Sequence, residues 1–166
     1  MTLVIAHRTG PRDARENSLD GIATAAENGA DVVEIDARRS RDGTPVLLHD
    51  PWLLRVQHRP LAVKWMRDGA LERLGVPTLA SALEVAAERN VHLAIDTKDP
   101  GAAEAVLTVV RAAAATDQVL LWSQHMPAVR SYVRALPDAE VALLRDTFTA
   151  DEHDRLLADA AAIGAR

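Results

Sequence analysis

Apolar runs of strand length alternate along the chain with segments whose apolar residues recur at helical spacing. The first run, "LVIAH", is followed by "NSLDGIATAAENG", in which Leu19, Ile22 and Ala26 share one helical face. Gly29 is the expected C-terminal cap of this helix. The pattern therefore predicts a strand followed by a helix as the first unit of the fold.

The alternation continues to the end of the sequence. After a hairpin, "PLAVKWMRDGALERLG" predicts a pair of short helices, and "PTLASALEVAAERN" predicts a helix with Thr78 as its N-cap. Strands "VHLAID", "QVLLWS" and "EVALL" then alternate with helices "AAEAVLTVVRAAAA", "MPAVRSYVRAL" and "TADEHDRLLADAAA". This order predicts an α/β fold with a mainly parallel sheet, either open and doubly wound or closed into a barrel.

Composition narrows the class of protein. A chain of 166 residues that is 48% hydrophobic predicts one domain over residues 1–166. The net charge of −5 and the lack of a basic stripe argue against a nucleic-acid partner. The absence of cysteine excludes a disulfide scaffold and agrees with a cytoplasmic protein. No apolar run is long enough for a signal peptide or a stable membrane insertion.

The hairpin "VVEIDARRSRDGTPVLLHDP" carries unexpected charge. If Asp42-Gly43 is a two-residue turn, Asp36 lies opposite His49, and Glu34 shares their face because strand side chains alternate. Carboxylates this close repel each other unless a cation lies between them, and oxygen ligands suit Mg²⁺ or Ca²⁺ rather than zinc. The hypothesis is a divalent metal site. The alternative is that the carboxylates line a solvated sheet edge without function.

Two other strand ends also carry charged side chains. The segment "IAHRTG" ends the first strand with His7 and Arg8, and "AIDTKDP" provides Asp96 and Lys98 on alternate positions. Ligands of parallel α/β folds bind at the C-terminal ends of the strands. Arg8 offers a bidentate fork for phosphoryl oxygens and Lys98 offers a point charge. These residues predict a site for a phosphate-containing ligand.

Five short motifs, in this order and at these spacings, resemble those of the glycerophosphodiester phosphodiesterases. They are "HRTG", "ENS", "GADVVEID", "RDGTPVLLHD" and "IDTK". The resemblance is dense through residue 50 and thins out after about residue 125. It implies a TIM-type (β/α) barrel and metal-dependent hydrolysis of glycerophosphodiesters, small-molecule substrates, to glycerol 3-phosphate and an alcohol.

The resemblance also implies a role for each matching residue. His7 and His49 would be the general acid and base, Arg8, Glu16 and Lys98 would contact the substrate, and Glu34, Asp36 and Asp96 would bind Mg²⁺ or Ca²⁺. Two imidazoles suit the proton transfers of the reaction because they titrate near neutral pH. A metal ion and cationic side chains would offset the negative charge of the transition state.

The sequence departs from the family pattern in three respects. Thr9 replaces the usual glycine, and Asp96 replaces the usual glutamate. Only about six strand candidates are present, whereas a TIM barrel has eight parallel strands, so we expect an incomplete barrel whose C-terminal part is missing. A homo-oligomer could cover the open edge. The alternative function is a non-catalytic or truncated relative that binds phosphate esters or acts only in assembly.

Overall fold

All strands of the described chain belong to one sheet. The computed structural model describes residues 2–10 and 14–165, so Met1 and Arg166, the ends of the predicted domain, lie outside the described residues. The strands are β1 (Ile5–Ala6), β2 (Val32–Arg39), β3 (Pro45–Leu47), β4 (His92–Thr97), β5 (Val119–Ser123) and β6 (Glu140–Leu143). Five are parallel in the order β1-β2-β4-β5-β6, and β3 pairs with β2 in antiparallel orientation.

Helices connect the parallel strands. They are α1 (Leu19–Glu27), α2 (Leu54–Gln57), α3 (Asp68–Arg73), α4 (Leu79–Arg89), α5 (Ala103–Ala112), α6 (Met126–Ala135) and α7 (Ala150–Ile163). Short 3₁₀ turns cover His7–Thr9, Val63–Trp65, Pro100–Ala102 and Thr116–Gln118. The predicted helices are therefore confirmed, and α2 is an addition that the sequence pattern did not indicate.

This βα alternation is that of a TIM-type barrel, so the predicted fold class is confirmed. The described residues provide five parallel strands, whereas a complete barrel has eight, so the barrel is incomplete over the described chain. The predicted count of six strands is correct, and five of the six are parallel. The remaining strand is the antiparallel β3. The single sheet supports the proposal of one domain.

The hairpin register differs from the prediction by one residue. Ala37 pairs with Leu47, and the Leu48 N–H donates to the Asp36 carbonyl at 3.0 Å. Leu48 therefore lies opposite Asp36, and the predicted pairing of Asp36 with His49 is wrong. His49 follows β3 and lies outside the strand ladder.

The length of the hairpin loop explains this shift. The Ser40 N–H donates to the Thr44 carbonyl at 2.9 Å, so the loop has three residues, 41–43, rather than two. Gly43 has φ +97°, which suits a type I turn closed by a residue in the left-handed region. One extra loop residue shifts every cross-strand pair by one position.

Side-chain caps fix the helix starts. The Ser18 hydroxyl accepts from the Gly21 N–H at the start of α1, and Thr78 accepts from the Ser81 N–H at the start of α4, as predicted. Asn28, rather than Gly29, occupies the C-cap of α1, and Gly29 follows with φ +86°. These local contacts orient α1 and α4, which pack against each other outside the sheet.

The centre of the sheet is buried on both faces, as expected for parallel strands covered by helices. Apolar side chains such as Ile35, Leu93 and Ile95 are fully buried. Acidic side chains on β2 and β4 interrupt this apolar core and form the candidate functional site. At the sheet edge, Leu3, Val4 and Ile5 remain exposed. The described part contains no helix that is both long and apolar enough to cross a membrane.

Candidate active site

A buried carboxylate cluster lies at the middle of the sheet. The parallel register of β2 and β4 places Asp36 directly beside Asp96, and Glu34 precedes Asp36 by two residues on the same face. The exposed fractions of Glu34, Asp36 and Asp96 are 5%, 0% and 3%, and each offers a carboxylate oxygen within 4.8 Å of the others. The shorter side chain at position 96 therefore still reaches the cluster.

One oxygen of this cluster lacks a hydrogen-bond donor among the described residues. Asp96 Oδ1 is buried and accepts no hydrogen bond, whereas Asp36 Oδ1 is paired with Lys98 Nζ at 3.1 Å. Buried charged oxygens without donors are costly unless another cation satisfies them. An all-oxygen donor set of this kind fits a hard divalent cation such as Mg²⁺ or Ca²⁺.

Two basic side chains partly neutralise the cluster. Lys98 Nζ donates to Asp96 Oδ2, and Arg8 Nε lies 3.6 Å from Asp36 Oδ2. Burial by itself would lower the pKa of Lys98, but the hydrogen bond to Asp96 and the charge of Asp36 outweigh burial and raise that pKa above its usual value. Lys98 therefore carries a positive charge across the physiological range.

The segment after β1 bends sharply to bring Arg8 to this cluster. Arg8, Thr9 and Gly10 have φ values of 48°, 63° and 70°, a left-handed run that is unfavourable for residues other than glycine. The Arg8 N–H donates to Glu34 Oε2 at 2.7 Å. The strained turn is thus tied directly to the carboxylate cluster.

The Thr9 side chain, which departs from the family pattern, faces α1. It is buried, and its hydroxyl donates to the Arg15 carbonyl at 3.2 Å. A Cβ at Gly21 would lie 2.3 Å from Thr9 Oγ1, so a glycine at position 21 makes room for this threonine. Thr9 is therefore accommodated by a glycine on the neighbouring helix.

Asn17 fixes the position of Asp36. Its Nδ2 donates to Asp36 Oδ2 at 2.8 Å, and its Oδ1 accepts from the Asp36 N–H at 2.8 Å. Only an amide side chain provides a donor and an acceptor in this arrangement, and asparagine tolerates the φ of +52° found here. Asn17 lies in the "ENS" motif, but the sequence did not indicate this role.

Burial and neighbouring charge change the protonation of Glu34. Burial, together with the negative charge of Asp36, raises its pKa to about 7, although the hydrogen bond from the Arg8 N–H opposes this rise. Without a metal ion, Glu34 is therefore largely protonated in the folded protein below neutral pH. A bound cation would favour the ionised form.

We expect the metal-free protein to lose stability as pH rises from about 4.5 to about 7. In this window Glu34 stays protonated in the folded state but is ionised in the unfolded state. Rising pH therefore favours the unfolded state and lowers the free energy of unfolding. The loss from this group is roughly 3 kcal/mol, from a pKa of about 7 against 4.5. Urea unfolding in chelator at about pH 5 and about pH 8 measures it. Glu34→Gln should remove this component, and the same pH dependence in both proteins would contradict the assignment.

The two candidate catalytic histidines lie in different surroundings. His7 Nε2 is 3.9 Å from Glu34 Oε2, and its side chain is 71% exposed. The His49 backbone is held by Arg38, whose Nε donates to the His49 carbonyl at 2.8 Å. His7 therefore lies at the open side of the carboxylate cluster, and His49 belongs to a second network.

This second network is a chain of charged side chains that ends at His49. His49 Nδ1 lies 2.7 Å from Asp50 Oδ1, and Arg55 Nε donates to Asp50 Oδ2 at 2.5 Å. Arg55 also donates to both carboxylate oxygens of Glu16, at 2.9 and 2.6 Å. Burial opposes ionisation of Asp50, but the bonds to His49 and Arg55 outweigh burial and lower its pKa.

An ionised Asp50 determines the tautomer of His49. A carboxylate can only accept a hydrogen bond, so Nδ1 carries the proton and Nε2 of neutral His49 keeps a free lone pair. Asp50 and Arg55 were not among the predicted site residues. Asp50 is adjacent to His49 in the sequence, so its contact with His49 could have been predicted. The pairing of Arg55 with Glu16 spans 39 residues and could not have been predicted from local sequence.

A family model for the glycerophosphoryl diester phosphodiesterase family matches residues 7–165. The chain belongs to this family. The match covers the "HRTG" turn, the carboxylate cluster and the His49 network, so the resemblance inferred from the motifs is confirmed.

Curated relatives in this family are distant in sequence. The glycerophosphodiester phosphodiesterase of Caldanaerobacter subterraneus subsp. tengcongensis is 25% identical over 163 residues, which cover 86% of this chain and 66% of the relative. A shorter match of 46 residues to glycerophosphodiester phosphodiesterase 1 of Rattus norvegicus is 56% identical and covers 28% of this chain and 14% of the relative. The chain thus spans slightly less than two thirds of the first relative.

Solved structures share the fold. A glycerophosphodiester phosphodiesterase from Agrobacterium tumefaciens matches with a TM-score of 0.81 and 26% identity, over 99% of this chain and 74% of that protein. A phosphodiesterase from Oleispira antarctica, solved in complex with the product sn-glycerol-3-phosphate, matches with a TM-score of 0.84 and 24% identity, over 96% of this chain and 72% of that protein. These likenesses support the barrel architecture.

Proposed function

We propose that the protein is a glycerophosphodiester phosphodiesterase that releases glycerol 3-phosphate and an alcohol with the help of Mg²⁺ or Ca²⁺. The observation that carries the proposal is the buried cluster of Glu34, Asp36 and Asp96, in which Asp96 Oδ1 lacks a donor and beside which Arg8 and Lys98 lie. The names of the family and of the Caldanaerobacter relative agree with this activity. The product complex of the Oleispira phosphodiesterase supports the product for this chain.

The charge of the cluster supports a phosphodiester substrate. When Glu34 is ionised, the three carboxylates exceed the charges of Arg8 and Lys98 by one negative charge. A divalent ion would reverse this to one positive charge, which matches the single negative charge of a phosphodiester. When bound, the ion would act as a Lewis acid for a phosphoryl oxygen and would stabilise charge in the transition state. Arg8 and Lys98 would hold the remaining phosphoryl oxygens.

His7 and His49 would divide the proton transfers. One imidazole accepts the proton of the attacking hydroxyl as the new P–O bond forms, and the other protonates the alkoxide that leaves as the old P–O bond breaks. The His49 network favours a role in proton transfer, because Asp50 fixes the tautomer and leaves Nε2 available. The attacking hydroxyl belongs either to water or to the neighbouring hydroxyl of the glycerol group.

The test is release of glycerol 3-phosphate from glycerophosphoethanolamine and glycerophosphoinositol by the purified chain. We expect turnover with Mg²⁺ or Ca²⁺ that chelator abolishes and added metal restores. Binding of the substrate without turnover, in a folded and metal-supplied sample, would instead support a non-catalytic relative that retains only the phosphate site. If the protein shows neither binding nor turnover, both functions are contradicted.

Asp50→Asn tests the His49 network. The amide can donate to Nδ1 and thereby stabilise the wrong tautomer, so we expect kcat to fall by about 10- to 100-fold with a small change in KM. Asp154→Asn, at an exposed position on α7, is the control. An unchanged kcat would remove Asp50 from the mechanism.

Two further features remain proposals. We infer a cytoplasmic protein from the absence of cysteine. We also propose that a second copy of the chain covers the sheet edge at β1, where apolar side chains such as Leu3 and Val4 are exposed. Light scattering on a folded sample tests the second proposal, and a monomeric mass would contradict it.

A further inference from the structure

A cleft of about 300 Å³ adjoins the carboxylate cluster. Its lining includes five charged side chains and one aromatic side chain, namely Arg38, Arg39, Lys64, Lys98, Asp99 and Trp52. Lys98 belongs to both places, because its Nζ contacts Asp36 and Asp96 while its side chain lines the cleft. A group bonded to a phosphate beside Lys98 can therefore extend into this cleft.

The sign of the charge reverses between the cluster and the cleft. Along β2, Arg38 follows Asp36 on the same face, and after β4 Lys98 follows Asp96 at the same spacing. The acidic positions thus lie deeper in the sheet, and the basic positions lie nearer the C-terminal ends of the strands. The family motifs assign no role to Arg38, although the sequence shows that it lies two residues after Asp36 and therefore on the same face of the strand.

The basic side chains of the cleft exceed its acidic side chains. Arg38, Arg39 and Lys64 line the cleft together with one carboxylate, Asp99. None of the ion pairs among the described residues includes Arg38, Arg39 or Lys64. No carboxylate of the described residues neutralises these three charges by an ion pair, although Arg38 Nε is bound to the His49 carbonyl and Lys64 Nζ lies 5.4 Å from the Trp65 ring centroid. Lys98, by contrast, is already paired with carboxylates.

Such a lining disfavours a cationic alcohol. Quaternary ammonium groups bind in aromatic cages, where no positive side chain repels them. Here Trp52 is exposed at the cleft, but three basic side chains surround the same space. Guanidinium and ammonium groups instead recognise phosphate oxygens through charge-assisted hydrogen bonds.

We propose that this cleft binds a second phosphate, carried by the leaving alcohol, so that glycerophosphodiesters of phosphorylated alcohols are preferred substrates. The proposal rests on the proposed function, because the scissile phosphate is placed beside Arg8 and Lys98. Arg39 and Lys64 provide the selective contacts, and Trp52 packs against the uncharged part of the alcohol.

The experiment compares two substrates that differ by one phosphate on the leaving alcohol. These are glycerophosphoinositol and glycerophosphoinositol 4-phosphate, assayed with saturating metal ion. We expect kcat/KM to be about tenfold higher for the phosphorylated substrate, since several charge-assisted contacts act together, and we expect the gain to lie mainly in KM. Equal kcat/KM values for the two substrates would overturn the proposal.

A double variant with a matched control locates the preference. Arg39→Gln with Lys64→Gln should bring the ratio of the two kcat/KM values close to one and leave turnover of glycerophosphoinositol nearly unchanged. Arg130→Gln with Arg134→Gln removes the same charge from exposed positions on α6 and should preserve the ratio. If the cleft variant, Arg39→Gln with Lys64→Gln, still prefers the phosphorylated substrate, the selective contacts lie elsewhere and the proposal is overturned.

Failure of the proposed function would give a different result from failure of this inference. If neither substrate is hydrolysed, calorimetric binding of the two compounds to the metal-supplied protein replaces the rate comparison. Tighter binding of glycerophosphoinositol 4-phosphate that is lost in the cleft variant would support the cleft without catalysis. Equal binding of both compounds would contradict the cleft proposal as well.

Discussion

His49→Ala is expected to lower kcat by about 10²- to 10⁴-fold, the usual contribution of a general acid or base. The reason is that Asp50 and Arg38 fix the His49 ring tautomer and backbone, which leaves Nε2 free for the proton transfer proposed for it. Initial rates with glycerophosphoinositol at saturating metal ion measure the effect. Thermal unfolding should show little change, because the His49 side chain is about 30% exposed and lies outside the strand ladder.

The control for this prediction is His92→Ala. His92 is exposed at the start of β4, at the opposite end of the strand from Asp96, so its removal should leave kcat within about twofold of the original value. His7→Ala should reproduce the loss expected for His49→Ala, because in the proposed mechanism the two histidines act on different protons of the same reaction. A rate near that of the unchanged protein in either variant would remove that histidine from the mechanism.

Asp36→Asn and Asp96→Asn are each expected to weaken metal binding by about 100-fold or more and to abolish turnover at ordinary metal concentrations. Loss of a residue that hydrogen-bonds to a metal ligand already weakens metal binding by about 10- to 100-fold. Each of these substitutions removes the negative charge and one oxygen of a proposed ligand itself. The amide keeps nearly the same shape, so the change is mainly electrostatic. Isothermal titration of Mg²⁺ and Ca²⁺ into the chelator-treated protein measures the affinity directly.

Two observations would distinguish this result from general damage to the fold. Asp154→Asn, which removes a carboxylate from an exposed position on α7, should bind metal as the unchanged protein does. Raising the metal concentration should recover part of the activity in Asp96→Asn if that variant is folded. An Asp36→Asn protein that binds metal with unchanged affinity would contradict the assignment of the cluster.

Much of the site is a local property of the sequence. Glu34 and Asp36 share a face because strand side chains alternate with a period of two, and this relation holds wherever the strand lies. Asp96 and Lys98 follow the same rule, and Ser18 and Thr78 cap helices through contacts within one turn. The order of strands and helices follows from the same short-range patterns, so the fold class was predictable.

The hairpin register could not be predicted for a physical reason. Residues 45–48 are all apolar, so a shift by one position exchanges one apolar side chain for another and leaves the binary pattern unchanged. The loop of residues 41–43 decided the register, and the "DG" signal is compatible with loops of two or three residues. Asp36 therefore faces Leu48, and His49 is positioned by Arg38 and Asp50.

The sequence by itself determined the strand and helix order, the shared face of Glu34 and Asp36, and the family motifs. Only the tertiary structure placed Asp96 beside Asp36, joined Arg55 to Glu16 and gave Asn17 its two bonds to Asp36. Pairs of this second kind lie far apart in the chain, and their contact depends on which strands become neighbours and in which register. Local propensity carries no information on that choice, which is made by the packing of the whole sheet.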